Sequence, residues 1–150
     1  MKIIDFVIDV ERAEQDLYRR LADCSRDLII RSIFQMVASK ESILLQKLRQ
    51  FKEDPEKNSL ELYRLTEGQE NLRRKQEISC ELLEDIDIRT DLSSYSYILR
   101  TERLVYNLYA NLKERELDPD ARALFNLILV EKQQEIDRIH TLYDVARVVH

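Results

Sequence analysis

Val10-Glu11-Arg12-Ala13-Glu14-Gln15-Asp16-Leu17-Tyr18-Arg19-Arg20-Leu21 returns later in the chain as Thr101-Glu102-Arg103-Leu104-Val105-Tyr106-Asn107-Leu108-Tyr109-Ala110-Asn111-Leu112, at an offset of 91 residues without a gap. Beyond this stretch the same offset pairs Asp27 with Asp118, Arg31 with Arg122 and Phe34 with Phe125. Two amphipathic helices align Leu on Leu by chance, but not Glu, Tyr, Asp and Phe as well, so the chain reads as an internal repeat. Within each copy a glutamate precedes a tyrosine by seven residues (Glu11 and Tyr18, Glu102 and Tyr109). At about 100° per residue that spacing returns to nearly the same helix face, two turns on. Each glutamate therefore shares the stripe of the core residues, where a carboxylate is costly unless paired, protonated or bound to a cation.

Working outward, helix 1 is predicted from about Ile3 to Asp23, with Phe6, Val10, Ala13, Leu17, Tyr18 and Leu21 at three- and four-residue steps. Helix 2 is predicted from about Asp27 to Lys52, helix 3 from an Asp91 N-cap to about Lys113. Asp118-Pro119-Asp120 marks the start of helix 4, which runs to about Val148. The short connections make each pair antiparallel. A charged segment, about 53–90, opened by the start signal Asp54-Pro55-Glu56, is long enough to cross the length of a bundle and is partly helical. Residues 1–150 thus form one all-α domain: hairpin 1 at about 3–52, the crossover, and hairpin 2 at about 91–148.

Composition agrees. The chain has one glycine, two prolines and 35% charged residues, which suits long helices with one wet face. A net charge of −5, with no basic stretch interleaved with aromatics, makes nucleic acid an unsuitable partner. The run Ile3-Ile4-Asp5-Phe6-Val7-Ile8-Asp9 is too short and acidic for a signal peptide, and no membrane-length apolar segment follows; a cytoplasmic location is the expectation. Cys24 and Cys80, with no C-x-x-C, are expected to be reduced core thiols. Arg73-Arg74-Lys75 reads as a solvated helix face. Leu62, Tyr63 and Leu65 fit either a cover over the bundle or a dimer surface, and association as a homo-oligomer (dimer) or with a protein partner is expected.

On these residues the chain resembles the ferritin-like superfamily, and within it the rubrerythrin-like di-iron carboxylate proteins. Glu11 to Tyr18 resembles the family's first-helix motif, and Phe34-Gln35-Met36-Val37-Ala38-Ser39-Lys40-Glu41 its second-helix approach to E-x-x-H. The resemblance implies a ferritin-like four-helix bundle and a metal pair held by two lone glutamates and two Glu-x-x-His motifs. Glu11, Glu41 and Glu102 match carboxylate ligands. Leu44 stands at one histidine position and Glu135 at the other, while Lys132 occupies the place of a bridging glutamate. Glu131 joins the set if helix 4 rotates slightly. His140 lies about 140° round the helix from Glu135 and replaces neither histidine.

Counting Glu11, Glu41, Glu102 and Glu135 against Lys132 leaves about −3, which does not persist bare in a dry core. The expectation is an altered site without a cofactor or catalytic residue, in which the Lys132 ammonium replaces metal and bonds Glu41 and Glu102. The alternative is an iron- or manganese-dependent oxidoreductase, or an iron-handling protein, acting on oxygen or peroxide at the glutamates.

Overall fold

The computed structural model describes residues 1–62 and 91–149, with side chains described to 62 and from 96 to 145. The expected crossover beyond residue 62, with Tyr63, Leu65, Arg73-Arg74-Lys75 and Cys80, lies outside the described residues. Those residues form α1 (Ile3–Cys24), α2 (Leu28–Glu53), the single turn α3 (Pro55–Asn58), α4 (Asp91–Arg115) and α5 (Pro119–Val149). Among them there is no strand, only an isolated antiparallel bridge between Lys2 and Glu61. None of the described helices is long and apolar enough to cross a membrane.

The helix starts follow local chemistry. Asp27 Oδ1 accepts from the amides of Ile29 (2.9 Å) and Ile30 (3.1 Å), capping α2. Asp118 accepts from Asp120 N at 2.9 Å ahead of Pro119, and Asp54 from Glu56 N at 3.0 Å ahead of Pro55. Contacts fix direction: Gln15 of α1 reaches Ala38 and Ser42 of α2, while Asp5 pairs with Lys52, so α1 and α2 run antiparallel. α4 and α5 pack as a second pair, and α2 packs against α5.

Each long helix passes through the same three layers. One apolar cluster takes Ile3 to Val10 of α1, Leu44 to Leu48 of α2, Val105 to Leu112 of α4 and Ala121 to Leu129 of α5. The other takes Leu17 to Ala22, Ile30 to Ala38, Ile98 and Ile139. Between them lie Glu11, Glu14, Glu41, Glu102, Lys132 and Glu135, each wholly removed from solvent. Phe34 and Phe125 are both fully buried, one in each apolar cluster.

One expectation is corrected. Cys24 is not a core thiol: it sits half-buried at the last residue of α1 and is disulfide-bonded.

Candidate functional site

The charged layer is held from both sides. α1 contributes Glu11 and Glu14 at an i, i+3 step, α2 contributes Glu41, α4 contributes Glu102, and α5 contributes Lys132 and Glu135, also i, i+3. Lys132 Nζ is surrounded by Glu102 Oε2 at 2.7 Å, Glu11 Oε2 at 2.9 Å, Glu14 Oε2 at 3.0 Å and Glu135 Oε2 at 3.2 Å. An ammonium has three protons to donate. They go to Glu11, Glu14 and Glu135, so Glu102 Oε2, although nearest, takes Coulombic attraction without a directed N–H.

Two phenols complete the layer, one from each apolar cluster. Tyr18 donates to Glu102 Oε1 and Tyr109 to Glu11 Oε1, both at 2.7 Å. At the 91-residue offset each of these hydrogen bonds maps onto the other. Tyr18→Phe and Tyr109→Phe should each lower the unfolding free energy by about 1.5–3 kcal/mol, the worth of a hydrogen bond to a charged group. Urea unfolding of both variants measures this, and a wild-type midpoint in either would show its phenol bond to be idle.

Five carboxylates meet one ammonium here, so protons must balance the rest. Burial, reinforced by the negative charge of Glu102, holds the Glu14 carboxyl well above the usual carboxylate range. Burial does the same to Glu41, reinforced by Glu11 and Glu135. Burial pushes Glu135 up to about 7 even though Lys132 pulls the other way. Glu102 is the exception: burial raises it, but Lys132 and hydrogen bonds from Glu14 and Tyr18 outweigh burial and leave it lowered. Burial alone would lower Lys132; the carboxylates around it reverse the sign and hold it well above its ordinary value, so it stays charged. Burial, followed by the nearest glutamate, raises both tyrosines well above 10 and keeps them as donors.

The carboxylates also fall into two groups of three that share Glu41: Glu11 with Glu41 and Glu135, and Glu14 with Glu41 and Glu102, their nearest oxygens within 4.8 Å of one another. Both Glu41 oxygens lack a hydrogen-bond donor. These residues do not fit a carboxylate–histidine metal pair. Neither group contains an imidazole, and an ammonium fills the space among four of the five acids.

Glu11, Glu41, Glu102, Glu135 and Lys132 are thus brought together, with two differences from the sequence expectation. Lys132 bonds not to Glu41 but to Glu11, Glu14 and Glu135 besides its contact with Glu102; Glu41 stands apart from the ammonium, beside Glu11 and Glu135. Glu131 lies outside the layer, 19% exposed, with Lys47 Nζ at 4.0 Å: with Lys132 aimed inward, its preceding neighbour turns to the edge of α5. Glu14 is the member the sequence reading missed. Its signal was the step of three from Glu11 and four to Tyr18 on one stripe, but the repeat gives it Val105 as counterpart and so does not mark it. His140 is half-buried further along α5 and belongs to neither acidic group.

No protein-family model matches the chain, and neither the curated proteins nor the solved structures yield a match to it.

Proposed function

We propose that this chain is a ferritin-like four-helix bundle, built from two repeated antiparallel hairpins, whose metal pair has been replaced by an internal ammonium and a set of shared protons. Its role in this reading is non-enzymatic: a rigid helical module that associates with itself or with a protein partner. The carrying observation is the Lys132 ammonium, fully buried, with four carboxylates at 2.7–3.2 Å. An ammonium at that point supplies the charge and donors that a cation would, and it repels an incoming divalent ion. The reciprocal Tyr–Glu hydrogen bonds and the matching Asp27 and Asp118 caps support the repeat. A cytoplasmic location belongs to the same reading, though the Cys24 disulfide weighs against it, since reducing compartments disfavour such bonds.

Metal analysis of protein purified without chelators tests the core of the proposal. Iron and manganese should remain far below one equivalent per chain; a stoichiometric, tightly held pair of ions would overturn it. One observation favours a second reading, a metal-dependent oxidoreductase or iron-handling protein. Glu41, buried with both oxygens lacking donors and common to two acidic groups, offers hard oxygen ligands to iron or manganese. The same measurement separates the two.

A further inference from the structure

Surface charge is distributed unevenly among the helices. The exposed residues of α1 are Asp9, Arg12, Asp16, Arg19, Arg20 and Asp23, every one charged. On α2 the exposed residues from Leu28 to Gln46 include no charge, and on α5 the same is true from Ala123 to Gln134. α2 and α5 pack side by side but run antiparallel, with Lys47 beside Glu131, so the two neutral stretches overlap only at their ends and together form one oblique face. It carries Leu28, Ile29, Met36 and Ile43 from α2 and Leu127 and Val130 from α5, each between 40% and 72% exposed. In a chain with 35% charged residues, such a face has the makeup of an interface core, where charge is depleted and Met and aliphatic groups gather.

We propose that this α2–α5 face binds a second copy of the same chain. The inference deepens the association role proposed above and rests on that part of it. Two features select a copy over an unrelated partner. The 91-residue offset carries exposed α2 positions onto exposed α5 positions: Met36 onto Leu127, Ser39 onto Val130, Ile43 onto Gln134. It also carries Lys40 onto Glu131, both half-buried, with Lys47 Nζ of the same chain 4.0 Å from Glu131. A two-fold pairing that lays α2 of each copy across α5 of the other sets each Lys40 against Glu131 of the partner subunit and meets neutral surface with neutral surface.

Sedimentation velocity of the full chain across a concentration series tests this. The unmodified protein should be a dimer. Met36→Glu and Val130→Glu should each raise the dimer dissociation constant about tenfold or more while helicity by circular dichroism is unchanged. Lys40→Glu alone should weaken the dimer, and Lys40→Glu with Glu131→Lys should restore it. If one variant loses helicity, the other and the charge swap carry the test. A monomer at every concentration overturns the inference, whether Met36 is then open to oxidation or shielded by the chain itself. So does a dimer indifferent to all four substitutions, which would place the contact elsewhere. Metal content of the same preparation keeps the two questions apart: a metal-free monomer ends this inference and leaves the reading of the core standing, and a metal-loaded dimer does the reverse.

Discussion

Lys132→Met should be among the most damaging single substitutions available in this protein, lowering the unfolding free energy in metal-free buffer by ~3–5 kcal/mol. Methionine fills similar space but leaves Glu11, Glu14, Glu102 and Glu135 facing one another with no cation. The loss comes less from the missing attraction than from charges stranded in a dry layer. Adding Glu102→Gln should therefore recover part of it, because Glu102 is the acid held most firmly in its charged form by Lys132. Urea unfolding of the single and double variants gives the coupling directly. Manganese or iron should raise the midpoint of Lys132→Met and leave the unmodified protein unmoved. A Lys132→Met midpoint equal to that of the parent would falsify the claim that the ammonium holds the layer together.

The second large effect is with pH, and its direction is unusual for an acidic protein. Glu135 titrates at about 7 in the folded state against 4.5 for an unperturbed side chain. Between those values the folded protein binds more protons than the unfolded chain, so stability falls as pH rises. At about 1.4 kcal/mol per pKa unit, Glu135 alone accounts for roughly 3 kcal/mol across that interval. Glu14 and Glu41, also raised, add to the decline. Glu102 acts in the opposite sense: its contribution is present above the unfolded carboxylate value and is lost as pH falls through its lowered folded value. The Lys132 contribution is present below 10.5 and is lost only as pH rises through its raised value. Stability should therefore peak in mild acid, and the urea midpoint should drop between about pH 4.5 and about pH 7. Glu41→Gln, which mimics the protonated acid, should keep the fold and flatten the profile. A midpoint that rises toward neutrality would show that the layer is not proton-loaded.

The sequence made the helices legible because their signals are local. Asp27, Asp54 and Asp118 announce their helix starts, and the three- and four-residue apolar steps of α1 and α2 give the buried faces directly. The central acids were legible through the identities at the 91-residue offset, which put Glu11 and Glu102 on core stripes, and through counting from Phe125, which put Lys132 among them. What could not be read was partner choice inside the layer. Whether Lys132 reaches Glu41 or Glu14 depends on how far α5 turns and which way three N–H bonds point, and neither leaves a mark on residue spacing. Glu14 shows the same limit from the other side. It follows no repeat, and only the packed helices reveal that it faces inward. Cys24 was misread because composition describes the compartment a thiol usually meets, not which residue lies beside it.

The charged layer also bears on how the chain reaches its folded state. The bonds that close it join residues 84 to 121 positions apart in sequence. Glu11, Glu14 and Glu41 belong to the first helical pair, which contributes no cation to the layer, and among the described residues the only ammonium in it arrives with α5. The first pair cannot dry out its own inner surface until the second docks, and the second holds a lysine with only Glu102 and Glu135 to receive it. Neither half is a self-sufficient folding unit. Closure must wait for contacts 84 to 121 residues apart in sequence, which predisposes this helical protein to slower, all-or-none folding than helical proteins dominated by local contacts.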